Sequence, residues 1–368
     1  MSSGIDEVVW DIEEHTKAKH EILQHYLGGW FNILASVSGR IVYIDGFAGP
    51  GVYKGGEDGS PVIALRTAIN HMLKPNTKSD IMFLFIENDK RREIKLKEVL
   101  EKEFPTLPEK VQYEVIGADF EPTLRRIFHE LDESGKKLAP TFAFIDPFGF
   151  SDFSMDLMKK LVSYDRCEVL ITFMAGFVHR FLDPLREPLL DSLFGTPVWR
   201  DIRKVEGTKI PELLNLYEKQ LKEVCGANFT RSFEMKGEYN QVIYYMIFAT
   251  KHWLGLKLMK DSMWSVDRRG QYSFSDRIGS AQKFLMDFQD EPDWIRKAAI
   301  RVHEQFRGKT VNIVEIDKFV ITETEFVFRK SILGYIEDNF KDAIVEVKVP
   351  GRLRRKGSFP DDATIQFR

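Results

Sequence analysis

Four acidic side chains follow short apolar runs in the first half of the chain, in a pattern typical of a ligand site at one edge of a parallel sheet. Asp45 ends "RIVYID", Glu87 ends "IMFLFIE", Asp119 follows "VQYEVIGA", and Asp146 follows "TFAFI". The carboxyl ends of parallel strands meet at one edge, where a carboxylate without a partner faces a desolvation cost. We therefore expect the four carboxylates to serve a common polar ligand.

The segment "DGFAGPG" (residues 45–51) follows the first of these apolar runs and is suited to hold a ligand against bare backbone. Gly46, Gly49 and Gly51 permit positive φ angles and let main-chain N–H groups approach a ligand closely. A dinucleotide loop has the pattern G-x-G-x-x-G and leads directly into a helix that faces the pyrophosphate. Here about eight residues separate Gly51 from the next predicted helix at Ser60, which fits S-adenosylmethionine, a donor without phosphate. The glycines by themselves are also compatible with an ordinary strand-to-helix turn.

This interpretation gives the residues of the predicted edge separate roles toward S-adenosylmethionine. Glu87 would accept hydrogen bonds from both ribose hydroxyls, and Asp119 would meet the adenine amino group. Lys19 or His20, near the start of the first predicted helix, could lie near the donor carboxylate, and a solvated amphipathic helix is the alternative. The residues predicted to hold the donor at the loop are Asp45, Gly46, Phe47, Gly49 and Gly51.

The segment "DPFG" (residues 146–149) carries groups that could activate an exocyclic base amine. Such an amine is a poor nucleophile because its lone pair is delocalised into the ring. Acceptance of its N–H bonds by Asp146 and by the Pro147 carbonyl would direct the lone pair toward a methyl donor, while Phe148 or Phe150 stacks on the extruded base. In the alternative interpretation, Asp146 caps a turn, Pro147 shapes it, and both phenylalanines belong to the core.

The surrounding elements alternate between apolar strands and helices, which predicts a parallel, doubly wound α/β sheet. An opening helix is expected over residues 17–37, and a helix-rich insertion with one further strand over residues 176–276. The predicted strands cover residues 40–47, 81–89, 111–120, 141–148 and 167–175, and the helices between them cover residues 60–73, 91–104, 122–131 and 155–163.

The C-terminal part of the chain predicts a second domain. Three short helical patterns within residues 293–340 precede a hairpin formed by "AIVEVKV" and "ATIQF", which is the order of a winged helix. We predict a methyltransferase-like domain over residues 1–290, with its core at about 38–175, and a winged-helix domain over residues 291–368. Its basic residues could contact nucleic-acid phosphates, although charged hairpin tips also occur simply facing solvent and winged helices also bind proteins. These residues are Arg329, Lys330, Arg352, Arg354, Arg355 and Lys356.

The pattern D-x-F-A-G-x-G followed by D-P-F-G resembles motifs I and IV of Rossmann-like amino-methyltransferases. Those that act on adenine usually carry D-P-P-[YF], whereas D-P-F-G is closer to the guanine-N2 methyltransferases of tRNA, so the acceptor base stays open. Nearly end to end, the chain is similar to the three-Cys-motif partner family, through "WDIEEHTKAKHEILQHYL", "YIDGFAGPG", "FAFIDPFGF", "LGLKLMKDSMW" and "FPDDATIQF". That family is bacterial and methyltransferase-like, and it is named after a radical-SAM-like protein with a three-cysteine motif encoded by a neighbouring gene. The resemblance implies a class I methyltransferase sheet, S-adenosylmethionine as cofactor, and such a protein as a partner.

Composition limits the remaining choices. The formal charge is −3 over 368 residues, although residues 294–368 carry 15 basic and 11 acidic side chains. Cys167 and Cys225 are the only cysteines, so the chain has no disulfide framework or metal-binding cysteine cluster, and it cannot itself be the cluster-bearing partner. The acidic N-terminus and the lack of a long apolar run lead us to expect a cytoplasmic protein without a signal peptide or a membrane span.

Three functions follow from these residues. The first is an S-adenosylmethionine-dependent methyltransferase of nucleic acid, acting on an exocyclic base amine. The second is a methyltransferase fold without turnover that binds nucleic acid or the three-Cys-motif partner. The third is a nicotinamide-dependent oxidoreductase, which the spacing of the glycines disfavours.

Overall fold

A computed structural model of the chain describes residues 7–36, 38–72, 79–149, 153–267, 271–276 and 293–368. The chain divides into two compact units, of which one comprises Met1–Ser262 with Ser273–Gly279 and the other comprises Met263–Tyr272 with Ser280–Arg368. The predicted domain boundary between residues 290 and 291 lies outside the described residues. Among the described residues, no helix combines the length and the apolar character that crossing a membrane requires.

An eight-stranded sheet forms the centre of the first unit, in the order β3-β2-β1-β4-β5-β7-β6-β8. Strands β1 to β5 are parallel, and β7 runs antiparallel to both β5 and β6. The predicted Rossmann-like α/β fold is therefore confirmed. The strands are β1 (Arg40–Asp45), β2 (Asp80–Ile86), β3 (Val111–Ile116), β4 (Thr141–Ile145), β5 (Cys167–Phe173), β6 (Phe229–Lys236), β7 (Val242–Thr250) and β8 (Ser273–Ser275).

Helices lie between the strands. The first five are α1 (Glu14–Leu34), α2 (Ser60–Met72), α3 (Lys90–Glu103), α4 (Phe120–Glu133) and α5 (Met155–Ser163). The insertion after β5 contains α6 (Ala175–Arg180), a 3₁₀ turn (Pro184–Arg186), α7 (Glu187–Phe194), α8 (Trp199–Ile202) and α9 (Ile210–Glu223), and α10 (Trp253–Val266) follows β7.

Helix α1 packs its apolar stripe on the sheet, as its spacing of three and four residues predicts. Tyr26 and Phe31 are fully buried within this stripe. Gly29 allows close packing inside the helix, because a Cβ there would lie 2.3 Å from a terminal carbon of Leu258 in α10. Gly29 therefore leaves room for the Leu258 side chain against α1.

The register of β1 with its neighbours brings the predicted carboxylates to one edge. Asp45 is paired with Phe85 of β2 and with Phe144 of β4. Glu87 and Asp146 each lie two residues beyond those partners, so they flank the loop that follows Asp45. The order of the strands reverses between β1 and β4, and ligands of open α/β sheets bind at such a switch point.

Several predicted boundaries differ from the structure. Strand β3 ends at Ile116 rather than at residue 120, because α4 already begins at Phe120. Strand β6 was not predicted, since polar residues alternate with Phe229, Phe233 and Met235 along it and no continuous apolar run marks it. The helical pattern expected from residue 323 to 340 starts only at Lys330.

The second unit contains α11 (Asp293–Phe306), β9 (Thr310–Asn312), α12 (Ile313–Glu323), α13 (Lys330–Asn339), β10 (Ile344–Lys348) and β11 (Thr364–Phe367). Its three strands form an antiparallel sheet in the order β10-β11-β9. The three helices and the hairpin that the sequence predicts are present in the predicted order. Their assignment to the winged-helix class stays a prediction.

Candidate functional site

Two cavities open at the carboxyl edge of the sheet, and Phe47 lines both of them. The first, of about 400 Å³, is lined by Gly46, Glu87, Asn88, Asp119 and Phe120 and is called the Glu87 cavity below. The second, of about 210 Å³, is lined by Lys19, Gly49, Tyr53, Asp146, Phe148 and Tyr244 and is called the Asp146 cavity. All these residues belong to the first unit. The structure therefore places the predicted site residues of this unit that it describes, except Asp45, around two spaces that share Phe47.

The glycine loop is tied to the strands on both sides. The Gly46 N–H donates to the Phe144 carbonyl at 2.9 Å, and the Ala48 N–H donates to the Ile86 carbonyl at 3.0 Å. Gly46 leaves room for a neighbouring ring, since a Cβ there would lie 2.8 Å from Phe120. Gly49 has φ +63°, a conformation that side chains disfavour, and its backbone faces the Asp146 cavity.

Gly51 and Gly59 close the base of this loop. Gly51 has φ +76°, and its carbonyl accepts the Gly59 N–H at 2.8 Å. A Cβ on Gly59 would lie 2.8 Å from the Gly51 carbonyl carbon, so the two backbones touch. Gly59 was not singled out from the sequence, because its position just before Ser60, the first residue of α2, does not reveal its contact with Gly51.

Glu87 lies on the wall of the Glu87 cavity with 5% of its surface exposed. The Gly49 N–H donates to its Oε2 and the Asp89 N–H to its Oε1, both at 2.8 Å. Burial raises the pKa of Glu87 despite these two bonds. Each carboxylate oxygen can still accept a further hydrogen bond, as a ligand with two adjacent hydroxyls would require.

Asp119 lies in the same cavity but not at the end of a strand. It is the exposed N-cap residue of α4, three residues beyond the end of β3. Its Oδ1 accepts a hydrogen bond from the Asn88 side chain at 3.2 Å. The tertiary fold thus brings Asp119 and Glu87 to one cavity, which the Phe120 ring also lines beside Gly46.

Asp45 is fully buried beneath the glycine loop. Its carboxyl group interacts with the Ser60 hydroxyl and lies 3.4 Å from both the Phe47 nitrogen and the Tyr43 hydroxyl. Burial, with a smaller contribution from the charge of Asp146, raises the pKa of Asp45 to about 7. A buried carboxyl group with these partners is better suited to stabilise the glycine loop from beneath than to contact a ligand directly.

Asp146 faces the second cavity and pairs with Lys19 of α1. The Lys19 ammonium lies 2.5 Å from Asp146 Oδ2, and 8% of the lysine side chain is exposed against 22% of the aspartate side chain. Lys19 Nζ also lies 5.3 Å from the centre of the Tyr244 ring. Burial, reinforced by the Lys19 charge, lowers the pKa of the neighbouring His20 to about 3, so this imidazole is neutral at physiological pH.

Pro147 and Phe148 continue the wall of the Asp146 cavity. The Phe148 ring is 59% exposed and meets the Trp10 ring edge-on at a centroid distance of 5.6 Å. The Arg92 guanidinium lies 5.0 Å from the Trp10 ring centre and 5.3 Å from that of Phe148. Phe150, the alternative stacking residue, lies outside the described residues.

Three aromatic residues of the Asp146 cavity were not anticipated from the sequence: Trp10, Tyr53 and Tyr244. Trp10 packs edge-on against Tyr53 at a centroid distance of 5.9 Å, and its carbonyl accepts the Lys54 N–H at 3.0 Å. Tyr53 lies two residues beyond the glycine loop of residues 45–51, and this closeness was the available signal. Tyr244 lies on β7, far along the chain, and no local pattern links it to the site.

The basic residues predicted to bind nucleic acid lie in the second unit and differ in their surroundings. Arg354 forms a two-pronged pair with Glu337, at 2.8 and 2.6 Å, and only 14% of its side chain is exposed. Arg355 is exposed on the same hairpin tip. The other four have partners, namely Asp362 for Arg352, Asp361 for Lys330, Asp338 for Lys356 and the Phe328 carbonyl for Arg329.

Comparison with known proteins finds similarity to solved structures at low sequence identity. No model of a protein family matches the sequence, and no curated protein is significantly similar to it. Among solved structures, Trm1 from Pyrococcus horikoshii in complex with S-adenosyl-L-methionine is similar over 71% of this chain, with 13% identity and a TM-score of 0.37. The O-methyltransferase from Bacillus cereus in complex with SAH is similar over 66% of this chain and 83% of its own, with 11% identity and a TM-score of 0.35. The present chain spans 60% of the Trm1 chain.

Proposed function

We propose that the protein is an S-adenosylmethionine-dependent methyltransferase that acts on an exocyclic amine of a nucleic-acid base. The observation that supports this most is the pair of adjoining cavities. One offers the buried carboxylate of Glu87 and the other the carboxylate of Asp146, with the bare backbone of Gly49 and the Phe47 side chain between them. S-adenosylmethionine carries its ribose and its reactive methyl group in different parts of the molecule. It therefore requires one group of residues for the ribose and another beside the methyl group.

The residues of the Glu87 cavity fit the adenosine half of the donor. Glu87 is buried, held by two main-chain N–H groups, and retains acceptor capacity on both oxygens for the ribose hydroxyls. Asp119 is exposed in the same cavity, where it could accept a hydrogen bond from the adenine amino group. When bound, S-adenosylmethionine supplies an electrophilic methyl group on its sulfonium sulfur.

The residues of the Asp146 cavity fit the acceptor. Asp146 would accept one N–H of the amine and the Pro147 carbonyl the other, which directs the lone pair outward. Phe148 is the exposed ring on which an extruded base could stack, and the guanidinium of Arg92 lies beside it. The neutral His20 leaves Lys19 as the cation facing Asp146.

A nicotinamide-dependent oxidoreductase is a poorer fit. The dinucleotide-binding sheet has the order 3-2-1-4-5-6, whereas here the antiparallel β7 lies between β5 and β6. The loop also passes through Gly51 and Gly59 before α2 begins, instead of leading directly into the helix.

A binding module without turnover is the second candidate, and the Lys19–Asp146 pair favours it, because the proposed acceptor group already has a partner. In that case the fold would bind nucleic acid, with the three helices and the hairpin of the second unit as a winged helix, or would bind the radical-SAM-like three-Cys-motif protein that the family resemblance implies. The exposed Arg355 is the residue of the hairpin tip best placed for phosphate contacts.

Two measurements on the Asp146→Ala variant separate these functions. Calorimetry with S-adenosylhomocysteine should show that donor-site binding persists, whereas transfer of a labelled methyl group to mixed cellular RNA and DNA should be abolished. Asp165→Ala, at a side chain that is 83% exposed, is the matched control and should behave as wild type. A wild-type protein that binds S-adenosylhomocysteine but labels neither polymer would support the binding module. Transfer at wild-type rate by Asp146→Ala would exclude the proposed role of Asp146.

A further inference from the structure

The ion pair between Lys19 and Asp146 stands at the centre of the proposed reaction site. Lys19 extends from α1, an element that precedes the sheet, and its ammonium is nearly enclosed, with 8% of the side chain exposed. Its neighbours in the cavity include the Tyr244 ring and the neutral His20. The pair therefore links α1 to the segment that follows β4.

Asp146 is the carboxylate within ion-pair distance of Lys19 among the residues that the structure describes. Glu13 also lines the cavity, but it lies 3.0 Å from His15 and its side chain is 72% exposed. Asp45 is buried beneath the loop and interacts with Ser60. The charge of Lys19 is thus balanced directly by one group, which is the group proposed to orient the acceptor amine.

This pairing creates a conflict within the proposed function. An amine that approaches Asp146 would find acceptor capacity left on its oxygens, but the charge of the carboxylate is drawn toward the Lys19 ammonium at Oδ2. Separating the pair without replacement would leave a nearly enclosed ammonium uncompensated, which is strongly unfavourable. Lys19 therefore needs a second anion before Asp146 can be released, and the donor carries a carboxylate on its amino-acid end.

We propose that Lys19 is a positioning residue that exchanges Asp146 for the carboxylate of the donor, so that donor binding releases Asp146 to accept the acceptor amine. The inference rests on the proposed methyltransferase function. It adds an order of binding, in which the donor binds before the acceptor. It also implies that Asp146 and the donor carboxylate compete for one cation, so that removing the charge of Asp146 should strengthen donor binding.

Two ligands test the exchange by binding alone. S-adenosylhomocysteine carries the carboxylate, and its decarboxylated analogue, S-adenosyl-3-thiopropylamine, keeps the sulfur and the amine but lacks the carboxylate. By calorimetry, Lys19→Met should weaken binding of S-adenosylhomocysteine by about ten- to a hundredfold, the range for a hydrogen bond to a charged group, and leave the analogue nearly unchanged. Lys17→Met is the control on the same helix, at a side chain that is 47% exposed and pairs with Glu14.

Asp146→Asn tests the competition independently and keeps the shape of the site. It should tighten binding of S-adenosylhomocysteine several-fold, leave the analogue unchanged, and lose this gain in the Lys19→Met background. If Lys19→Met does not fold, Asp146→Asn alone decides, since unchanged affinity for S-adenosylhomocysteine would overturn the exchange.

The outcomes distinguish the inference from the function on which it rests. Wild-type protein that binds neither ligand would overturn the donor site and the exchange together. Wild-type protein that binds S-adenosylhomocysteine, with both ligands weakened equally by Lys19→Met, would overturn the exchange and leave the methyltransferase proposal in place.

Discussion

Asp45 provides a test of the structure that does not depend on any ligand. Its side chain is fully buried, and its pKa is raised to about 7 from an ordinary value of 3.8, chiefly by burial. Between these two values the folded protein keeps a proton on Asp45 that the unfolded chain has lost. The folded state binds more protons in this window, so stability must fall as the pH rises through it.

The magnitude follows from the width of the window. Each pH unit corresponds to about 1.4 kcal/mol of unfolding free energy, so a window of about three units amounts to about 4 kcal/mol. Asp45→Asn removes the titrating group and keeps a side chain of similar size. The free energy of unfolding of the variant, relative to wild type, should therefore rise by about 2–3 kcal/mol between pH 5 and pH 7 and level off above pH 7.

Urea unfolding followed by far-ultraviolet circular dichroism at a series of pH values measures this difference. Comparison of the two proteins at each pH cancels the titration of all other groups, provided that they are unaffected by the substitution. Asp11→Asn, at a side chain that is 86% exposed and lies 4.0 Å from Lys54, should show a difference from wild type that is independent of pH. A flat difference for Asp45→Asn over the same range would refute the reasoning, and with it the burial of Asp45 beneath the loop.

Three further substitutions test other parts of the fold. Tyr26→Phe removes a hydroxyl that donates to the buried Glu168 at 2.5 Å. It should lower the free energy of unfolding, measured by urea unfolding, by about 1–3 kcal/mol. Gly59→Ala forces a Cβ against the Gly51 backbone, and it should cost about 1–3 kcal/mol and weaken S-adenosylhomocysteine binding in calorimetry. Arg354→Met removes the ion-pair partner of Glu337, whose side chain is 13% exposed and keeps the Gly357 N–H as a donor, and it should cost about 1.5–3 kcal/mol, measured by urea unfolding.

Each of these substitutions has a matched control. Tyr239→Phe changes a tyrosine that is 87% exposed, and Arg355→Met changes an exposed arginine on the hairpin of Arg354. Gly28→Ala adds a Cβ to a helical position where, apart from the adjacent residues and the backbone of the same helix, no described atom lies within 4 Å. If any control destabilises the protein as much as its test variant, the loss cannot be ascribed to the contact named here.

The parallel core could be predicted because its strands are buried on both faces and read as continuous apolar runs. Strands β1, β2 and β4 therefore stood out, and with them Glu87 and Asp146, the residues that directly follow two of them. Strand β6 could not be recognised in the same way, because it is half-buried and alternates polar with apolar residues. The predicted strand end at Asp119 was wrong, since β3 ends at Ile116 and Asp119 is the N-cap residue of the helix that begins at Phe120.

The amino-acid sequence by itself determined the elements, the glycine loop after β1 and the carboxylates at the edge, because these follow from local polarity and backbone preference. The tertiary structure alone decided which side chains meet there. Lys19 and Asp146 are 127 positions apart and form an ion pair only because α1 packs across the sheet edge, and Tyr244 joins them from β7. Such partnerships depend on how separate elements pack, and no pattern within a short stretch of chain encodes them.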